Sequence, residues 1–209
     1  MAEFTLYYQT HSPFARKALV FAHEAGLADR IDVRHQETSP VLDNDLVFES
    51  NPLGKVPILL RRGLEPLFDS SVICAYLDTL HRGRRLIPFE GEARWRALRL
   101  QALADGMAES GIAVRWETIR RPEGKRHPPL RDGHLRKLQA AYGFAERAID
   151  HGAEVDVGCI ALAAALSWLE FRYMPSFRAD HPALGRWLDD FSDRPSMRAT
   201  PLDGDTVDG

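Results

Sequence analysis

The segment from residue 4 to residue 26 reads FTLYYQTHSPFARKALVFAHEAG. Its first five residues alternate, with Phe4, Leu6 and Tyr8 at every second position, which is the pattern of a β-strand. From Ser12 onward the apolar residues recur at helical spacing, and the segment closes on a glycine that suits the end of a helix. The segment therefore predicts a strand, a turn and a helix in succession.

Further strands and a second helix follow within the first 80 residues. Residues 30–34 predict a short strand after the helix, which completes a βαβ unit. Residues 56–60 and 66–68 flank a loop that contains glycine, and this predicts two strands joined by a hairpin. Residues 69–71 offer side chains that cap a helix, and its apolar stripe extends to residue 80. The predicted order is βαβ followed by ββα.

The second half of the chain has a different pattern, which predicts a second domain. Residues 81–90 combine glycine, proline and charge, as linkers between domains do. Beyond them almost every apolar stripe has helical spacing, and no further strand is indicated. The sequence therefore predicts an α/β domain over residues 1–80, a linker over 81–90 and an all-helical domain over 91–209.

Capping and helix-breaking residues predict the local structure of the helical half. Asp156 is placed to cap a helix whose apolar run, residues 160–169, indicates a central buried position. Proline and glycine predict a loop over residues 122–134. Residues 199–209 lack a core pattern, and we expect them to form a loose tail.

The composition is that of an ordinary globular chain, and it excludes several classes of protein. The 209 residues are 44% hydrophobic and 27% charged, which suffices for one large domain or two small ones without disulfides or structural metal. Lysine and arginine number 27 against 30 aspartate and glutamate residues, which leaves a net charge of -3. General binding to nucleic acid is therefore disfavoured.

The cysteines and the N-terminal residues indicate the compartment. Cys74 and Cys159 form no C-x-x-C pair, so a disulfide scaffold and a zinc ribbon are excluded and no metal is expected. The chain begins without a secretory signal, and no apolar run approaches the ~18 residues that span a membrane. We expect a cytoplasmic protein that does not bind membranes.

Ser12 is the first candidate for chemistry. Because Pro13 suits the first position of a helix, Ser12 is expected to be the N-cap, where free backbone N–H groups and the helix dipole favour an anion such as a thiolate. Its hydroxyl can accept a hydrogen bond from the helix and still donate one to a bound sulfur. The alternative is a purely structural cap, and Thr10 and His11 lie near enough to be rivals for the role.

Three segments of the first half together resemble a known family. They read SPFARK at 12–17, NPLGKVP at 51–57 and FDSSVI at 68–73. In this order, with a helical domain behind them, they resemble the glutathione transferases, in particular bacterial-like cytosolic members of the serine type. The resemblance covers nearly the whole chain, because residues 155–162, VDVGCIAL, are similar to the capped central helix of the family's second domain. It implies a thioredoxin-like first domain followed by an all-α domain.

The resemblance implies a role for each motif in binding glutathione. Ser12 would be the catalytic residue that stabilises the glutathione thiolate. A cis peptide before Pro57 would turn the Val56 backbone groups toward the extended peptide, and Lys55 would meet a ligand carboxylate, with a solvated lysine as the alternative. Asp69 and Ser70 would receive the γ-glutamyl end, at which the helix N-terminus binds the carboxylate and the acidic side chain pairs with the ammonium.

The resemblance also implies the reaction. We expect an enzyme of detoxification that conjugates glutathione, its co-substrate, to a small and hydrophobic electrophile held between the domains. The alternatives are a glutathione-dependent peroxidase, isomerase or dehalogenase, and a transferase-like binding or regulatory module with little turnover. The electrophile site would be walled by residues of the first helix of the second domain, with plain core packing as the alternative: Ala104, Met107, Ala108 and Gly111.

The resemblance further implies a homodimer. The helix over residues 70–80 and the helix that carries Trp95, Leu98 and Leu103 are candidates for its interface, and packing between the two domains of one chain is the alternative. Arginine and lysine recur over residues 115–137, and acidic residues interrupt them. We interpret this segment as a solvated face, with attraction of an anionic second substrate as the alternative.

Overall fold

The computed structural model describes residues 2–150, 152 and 154–205. It divides into two compact units, Met1–Phe89 with Arg194–Gly209, and Glu90–Asp193. This grouping differs from the predicted helical domain, because the segment that begins at Arg194 belongs to the first unit. Among the described residues, no helix is both long and apolar enough to cross a membrane.

The first unit begins with a four-stranded mixed sheet and three helices. In chain order the elements are β1 (Phe4–Tyr8), α1 (Pro13–Glu24), β2 (Ile31–His35), α2 (Asp45–Ser50), β3 (Ile58–Arg61), β4 (Leu64–Leu67) and α3 (Ser70–Leu77). The strand order is β2-β1-β3-β4, in which β1 is parallel to β2 and antiparallel to β3, and β3 is antiparallel to β4. The predicted thioredoxin-like βαβ-ββα fold is confirmed.

The central position of β1 explains its burial. The strands on both sides of β1 accept and donate its backbone hydrogen bonds. Phe4, Leu6, Tyr7 and Tyr8 are all buried. The strand is therefore buried more completely than the alternating pattern of its sequence predicts. On the helix side, α1 packs against α3.

The strand registers bring four loops to one end of the sheet. Tyr8 pairs with His35 at the end of β2, and Tyr7 pairs with Ile58 at the start of β3. Leu59 pairs with Leu67, the last residue of β4. We call this the loop end of the sheet, defined as the end at which β1, β2 and β4 finish and β3 begins. The segments that follow Tyr8, His35 and Leu67, and the segment that precedes Ile58, therefore emerge side by side.

The second unit is helical within the described residues. Its elements are α4 (Gly91–Arg115), which continues into a π-helical turn (Trp116–Arg120), then α5 (Pro128–Ala148), α6 (Val157–Phe171) and α7 (Pro182–Ser192). Asp156 caps α6, because its carboxylate accepts a hydrogen bond from the Cys159 backbone N–H at 3.0 Å. Residues 160–166 of α6 are all buried. The predicted capped central helix is confirmed.

The residues expected to wall an electrophile site lie on α4, which packs closely against α6. A Cβ on Gly111 would come within 2.5 Å of the Leu169 side chain, so only glycine fits there. Ala104, Met107 and Ala108 are buried, with exposed fractions of 0%, 2% and 1%. Their burial matches the alternative of plain core packing.

The loop predicted for residues 122–134 is wrong over its second half. A 3₁₀ turn spans Glu123–Lys125, and α5 then begins at Pro128. Prolines at the first two helical positions start this helix rather than break it, because their missing N–H groups need no partner there. The buried Glu117 carboxylate accepts the His127 backbone N–H at 2.7 Å and fixes the entry to the helix.

The C-terminal segment returns to the first unit and runs along α1. It contains a short helix, α8 (Pro195–Arg198), and we call residues 194–204 the C-terminal strap. At the far end of α1, the Glu24 carboxylate accepts hydrogen bonds from the Arg194 guanidinium at 2.7 and 2.8 Å and from the Ser196 hydroxyl. The prediction of a loose tail is wrong from residue 199 to residue 203, because Thr200 and Asp203 are hydrogen-bonded to the first unit. Residues 206–209 lie outside the described chain.

The ion pair at Glu24 makes attachment of the strap depend on pH. Burial opposes ionisation of Glu24, but the hydrogen bonds from Arg194 and Ser196 and the nearby positive charges outweigh it, so the pKa of Glu24 lies below its ordinary value of 4.5. A carboxyl group with a lowered pKa stabilises the fold above its unfolded pKa. That contribution is lost as the pH falls through the folded-state pKa.

Replacing Glu24 with Gln is expected to lower the free energy of unfolding by about 2 kcal/mol at neutral pH, because charge-assisted hydrogen bonds are lost. Urea denaturation from pH 7 to pH 3 measures the difference, which should shrink as wild-type Glu24 becomes protonated. Asp29→Asn, at an exposed carboxylate near the end of the same helix, is the control and should change little. A Glu24→Gln effect that stays constant at acidic pH would contradict the ion pair.

Candidate functional site

Ser12 lies at the start of α1, as the sequence predicts. Its hydroxyl oxygen accepts a hydrogen bond from the Ala15 backbone N–H at 3.2 Å, and Pro13 occupies the first helical position. The Ser12 backbone N–H donates to the Gln9 carbonyl at 2.9 Å and closes a tight turn over residues 9–12. The hydroxyl still carries a proton of its own, and the first turn of α1 supplies the positive end of the helix dipole. The arrangement suits a bound anion.

The turn before Ser12 is held from the β2 side by a buried amide. The Gln9 side-chain N–H₂ donates to the Glu37 carboxylate at 2.8 Å and to the Thr38 carbonyl at 3.2 Å, and the Thr38 hydroxyl donates back at 3.3 Å. His35 lies 2.7 Å from the other Glu37 oxygen. Partial burial opposes ionisation of Glu37, but the hydrogen bonds from His35 and Gln9 and the nearby histidine charges outweigh it and lower its pKa.

The structure separates the two rivals of Ser12. The Thr10 hydroxyl donates its single proton to the Asp203 carbonyl at 2.9 Å, so it has none left to donate to a ligand sulfur. His11 is buried, and its Nε2 lies 3.8 Å from the Glu37 carboxylate. His11 therefore stays an alternative to Ser12, whereas Thr10 does not fit as a donor.

Asn51 organises the loop that leads into β3. Its side-chain amide is buried, donates to the Lys55 carbonyl at 2.8 Å and accepts the Leu53 backbone N–H at 3.0 Å. Gly54 has a φ of 61°, and a Cβ there would come within 2.5 Å of the Phe48 ring. The positive φ favours glycine at this position, and a side chain there would also displace the Phe48 ring.

The residues predicted to bind at this loop differ in exposure. The Val56-Pro57 peptide bond is cis, as the resemblance implies, and both residues are buried immediately before β3. The Lys55 side chain is exposed beside them. The loop thus presents one accessible cation next to a buried turn.

Asp69 and Ser70 form the start of α3. The Asp69 carboxylate caps the helix by accepting the Ser71 and Val72 backbone N–H groups at 3.0 and 3.3 Å, and Ser70 is buried. The Phe68-Asp69 peptide bond is also cis. Lys17, itself buried on α1, donates from its ammonium to the Ser71 hydroxyl at 3.3 Å. This contact ties the first turn of α3 to α1.

The loop end of the sheet brings the three motifs together. Ser12 follows β1, Val56 and Pro57 precede β3, and Asp69 and Ser70 follow β4. Neighbouring strands hold these positions side by side through the pairs Tyr7–Ile58 and Leu59–Leu67. One surface therefore carries two helix N-termini, an exposed lysine and a turn before an antiparallel strand. It has the donors to bind an extended ligand that carries negative charge.

Comparison with known proteins identifies the family. Residues 11–80 match the model of the glutathione S-transferase N-terminal domain. A solved glutathione transferase family member from Pseudomonas fluorescens Pf-5, with bound glutathione, is 40% identical, with a TM-score of 0.91, and the match covers 96% of this chain and 100% of that one. The chain belongs to the glutathione transferase family.

Two further relatives extend the comparison within the glutathione transferases. A second structure from Pseudomonas fluorescens Pf-5 holds S-(propanoic acid)-glutathione, with 38% identity, a TM-score of 0.87 and coverage of 96% of this chain and 100% of that one. The uncharacterized GST-like protein YibF of Escherichia coli (strain K12) is 28% identical over 90% of this chain and 94% of its own length.

Sequence reasoning missed several residues that shape this site of the transferase fold. Asn51 has a local signal, since an Asn before Pro-Leu-Gly favours a side-chain turn. Gln9, Glu37 and the strap have none, because their partners are far away in the chain. Within the described chain, no group of three or more His, Cys, Asp or Glu side chains is placed to hold a metal ion. That no metal takes part stays a prediction.

Proposed function

We propose that this chain is an enzyme that binds glutathione at the loop end of the sheet and conjugates its thiolate to a small electrophile. The observation that carries the proposal is the position of Ser12, an N-cap at the same end of the sheet as Val56-Pro57 and the start of α3. Solved relatives that hold glutathione or a glutathione conjugate support the choice of co-substrate.

The γ-glutamyl end of glutathione is proposed to bind at α3. Its carboxylate would accept hydrogen bonds from Ser70 and from backbone N–H groups of the first turn, and its ammonium would pair with Asp69. Only one of the Asp69 carboxylate oxygens accepts the capping hydrogen bonds, which leaves the other to a cation. The backbone at Val56 would pair with the extended peptide, and Lys55 would meet the glycyl carboxylate.

The chemistry proposed for Ser12 is stabilisation of a thiolate. The thiol proton leaves to water, while the hydroxyl and the first turn of α1 favour the charged sulfur. The sulfur electron pair then forms the carbon–sulfur bond. In a substitution, the leaving group departs with the electron pair of its own bond to that carbon. In an addition, the π pair of the electrophile's double bond shifts onto the neighbouring carbon, which takes a proton from water. Positioning and electrostatics supply the rate enhancement.

The cysteines do not support chemistry of the cysteine type. Burial, followed by the charge of Asp156, raises the pKa of Cys159 to about 12, and Cys74 is buried inside α3. A thiolate nucleophile would need the opposite environment. Glutathione-dependent peroxidase, isomerase or dehalogenase activity and a binding module remain the alternative proposals. Cytoplasmic localisation and a role in detoxification stay predictions.

Replacing Ser12 with Ala is expected to raise the pKa of the bound glutathione thiol and to lower turnover by roughly 100-fold, because a donor to the sulfur is lost. Thiolate absorbance against pH measures the first effect, and steady-state kinetics with a panel of electrophiles measures the second. Acrylate and acrylamide, a charged and a neutral Michael acceptor, belong in that panel, each corrected for its uncatalysed rate. Affinity for S-methylglutathione, which has no thiol, should change little.

Two variants serve as controls, one for the loss of the helix cap and one for the loss of a serine hydroxyl elsewhere in the chain. Ser12→Gly removes the hydroxyl at a stability cost of only a few tenths of a kcal/mol and should behave as Ser12→Ala in catalysis. Ser192→Ala, at the end of α7, should behave as the wild type. An unchanged thiol pKa in both Ser12 variants would assign the role to His11 or to backbone N–H groups.

Asp69 should show separate effects on stability and on binding. Asp69→Ala removes the cap and is expected to lower the free energy of unfolding by about 1 kcal/mol, whereas Asp69→Asn keeps an N-cap side chain and should lower it far less. Both remove the charge that pairs with the ligand ammonium, so calorimetry should find glutathione binding weakened in both. Wild-type affinity in Asp69→Asn would contradict the proposed orientation of the ligand.

A homodimer remains part of the proposal. Val72 on α3 and Trp95 on α4 have exposed fractions of 46% and 60%, which suits an apolar interface between two copies. Light scattering at micromolar concentration should give about twice the mass of 23.6 kDa. A stable monomer that turns over substrate would contradict the dimer and leave the glutathione site intact.

A further inference from the structure

The C-terminal strap is attached at three places, two on α1 and one just before it. It starts at the Glu24 ion pair described above. In the middle of the strap, the Thr200 and Met197 carbonyls accept hydrogen bonds from the buried Arg16 guanidinium at 2.6 Å and 3.2 Å. The third attachment, at Thr10, lies just before the first turn of α1. The strap therefore runs antiparallel to α1 and ends where the helix begins.

The third attachment is a two-way pairing with Thr10. The Thr10 hydroxyl donates to the Asp203 carbonyl at 2.9 Å, and the Asp203 backbone N–H donates to the Thr10 carbonyl at 3.3 Å. The next strap residue, Gly204, has a φ of 84°, and a Cβ there would lie 3.6 Å from His11 Nδ1. Both contacts use backbone atoms of the strap, so the Asp203 carboxylate is not needed for them.

This pairing completes the support of the turn that carries Ser12. Gln9 is fixed from the β2 side by Glu37, and Thr10 is fixed from the strap side by Asp203. The Ser12 N–H closes the turn on the Gln9 carbonyl. A hydroxyl that donates to a thiolate must be aimed within a few tenths of an ångström, and such aim depends on the residues that hold its backbone.

We propose that the C-terminal strap is part of the apparatus that activates glutathione, with Thr10 as the positioning residue through which it fixes Ser12. The inference rests on the proposed function, since it assigns the strap a part in the same thiol site. Thr10 acts on Ser12 through the turn and does not touch the sulfur. Loss of the pairing lets the turn and the Ser12 hydroxyl shift, whereas the residues that hold the tripeptide keep their places.

Two variants break the pairing from opposite sides. Thr10→Val removes the donated hydrogen bond and keeps the shape of the side chain. Asp203→Pro removes the backbone N–H that donates to the Thr10 carbonyl. Their matched controls are Thr79→Val, where an exposed hydroxyl donates to the nearby Tyr76 carbonyl, and Asp203→Ala, which leaves the backbone pairing intact.

The deciding measurement is the pKa of the glutathione thiol bound to each full-length variant, from thiolate absorbance against pH. Thr10→Val and Asp203→Pro are expected to raise it by about one unit, which reduces the ionised fraction about tenfold below that pKa. Turnover measured at a pH below the wild-type thiol pKa should fall by a similar factor. Affinity for S-methylglutathione should stay within about twofold of the wild type, and both controls should match it.

The outcomes separate this inference from the function on which it rests. A wild-type protein that binds no glutathione overturns the proposed function and the inference together. A wild-type protein that lowers the thiol pKa, while Thr10→Val and Asp203→Pro lower it equally, overturns the inference alone. Loss of S-methylglutathione affinity in parallel with turnover assigns the strap a purely structural role. An Asp203→Ala variant as impaired as Asp203→Pro transfers the effect to the carboxylate and overturns the pairing.

Discussion

The unsatisfied N–H groups in the first turn of α1 are the constraint on which the rest of this structure depends. No carbonyl within the helix can accept them, so the chain must provide a cap or a ligand. Ser12 provides the cap and Pro13 removes one of the donors. Because β1 ends four residues earlier at the loop end of the sheet, this positive helix terminus stands beside the start of β3 and the start of α3.

Buried charge along α1 links that terminus to the end of the chain. Burial lowers the pKa of Arg16, with some opposition from Tyr8, yet the guanidinium is held by strap carbonyls. Lys17 contacts the first turn of α3, and Glu24 holds the beginning of the strap. Buried cations are costly unless polar groups surround them, so these residues specify where the strap and α3 must lie. The helix that carries Ser12 is thus also the helix that orders its surroundings.

Local chemistry explains which elements were predicted correctly. Alternation in β1, the Ser-Pro pair, the cap at Asp69 and the cap at Asp156 all act over four residues or fewer, and the structure contains each of them. The start of α5 was missed because proline has opposite meanings inside a helix and at its first turn. No neighbouring residue shows whether Pro128 breaks a helix or begins one. In the structure, the buried Glu117 carboxylate accepts the His127 N–H just before the helix begins.

The sequence by itself determined the thioredoxin-like order of strands and helices, the helical second half and the motif residues of the candidate site. The order of elements and the helical half follow from periodicity and capping, whose energies arise between near neighbours in the chain. The thioredoxin-like assignment and the roles of the motif residues follow from the resemblance to the glutathione transferases. Only the tertiary structure decided that Gln9 would meet Glu37, 28 residues away, and that Thr10 would meet Asp203, 193 residues away. Such pairings form only when packing brings distant segments together, and the residues involved carry no periodic pattern that marks them beforehand.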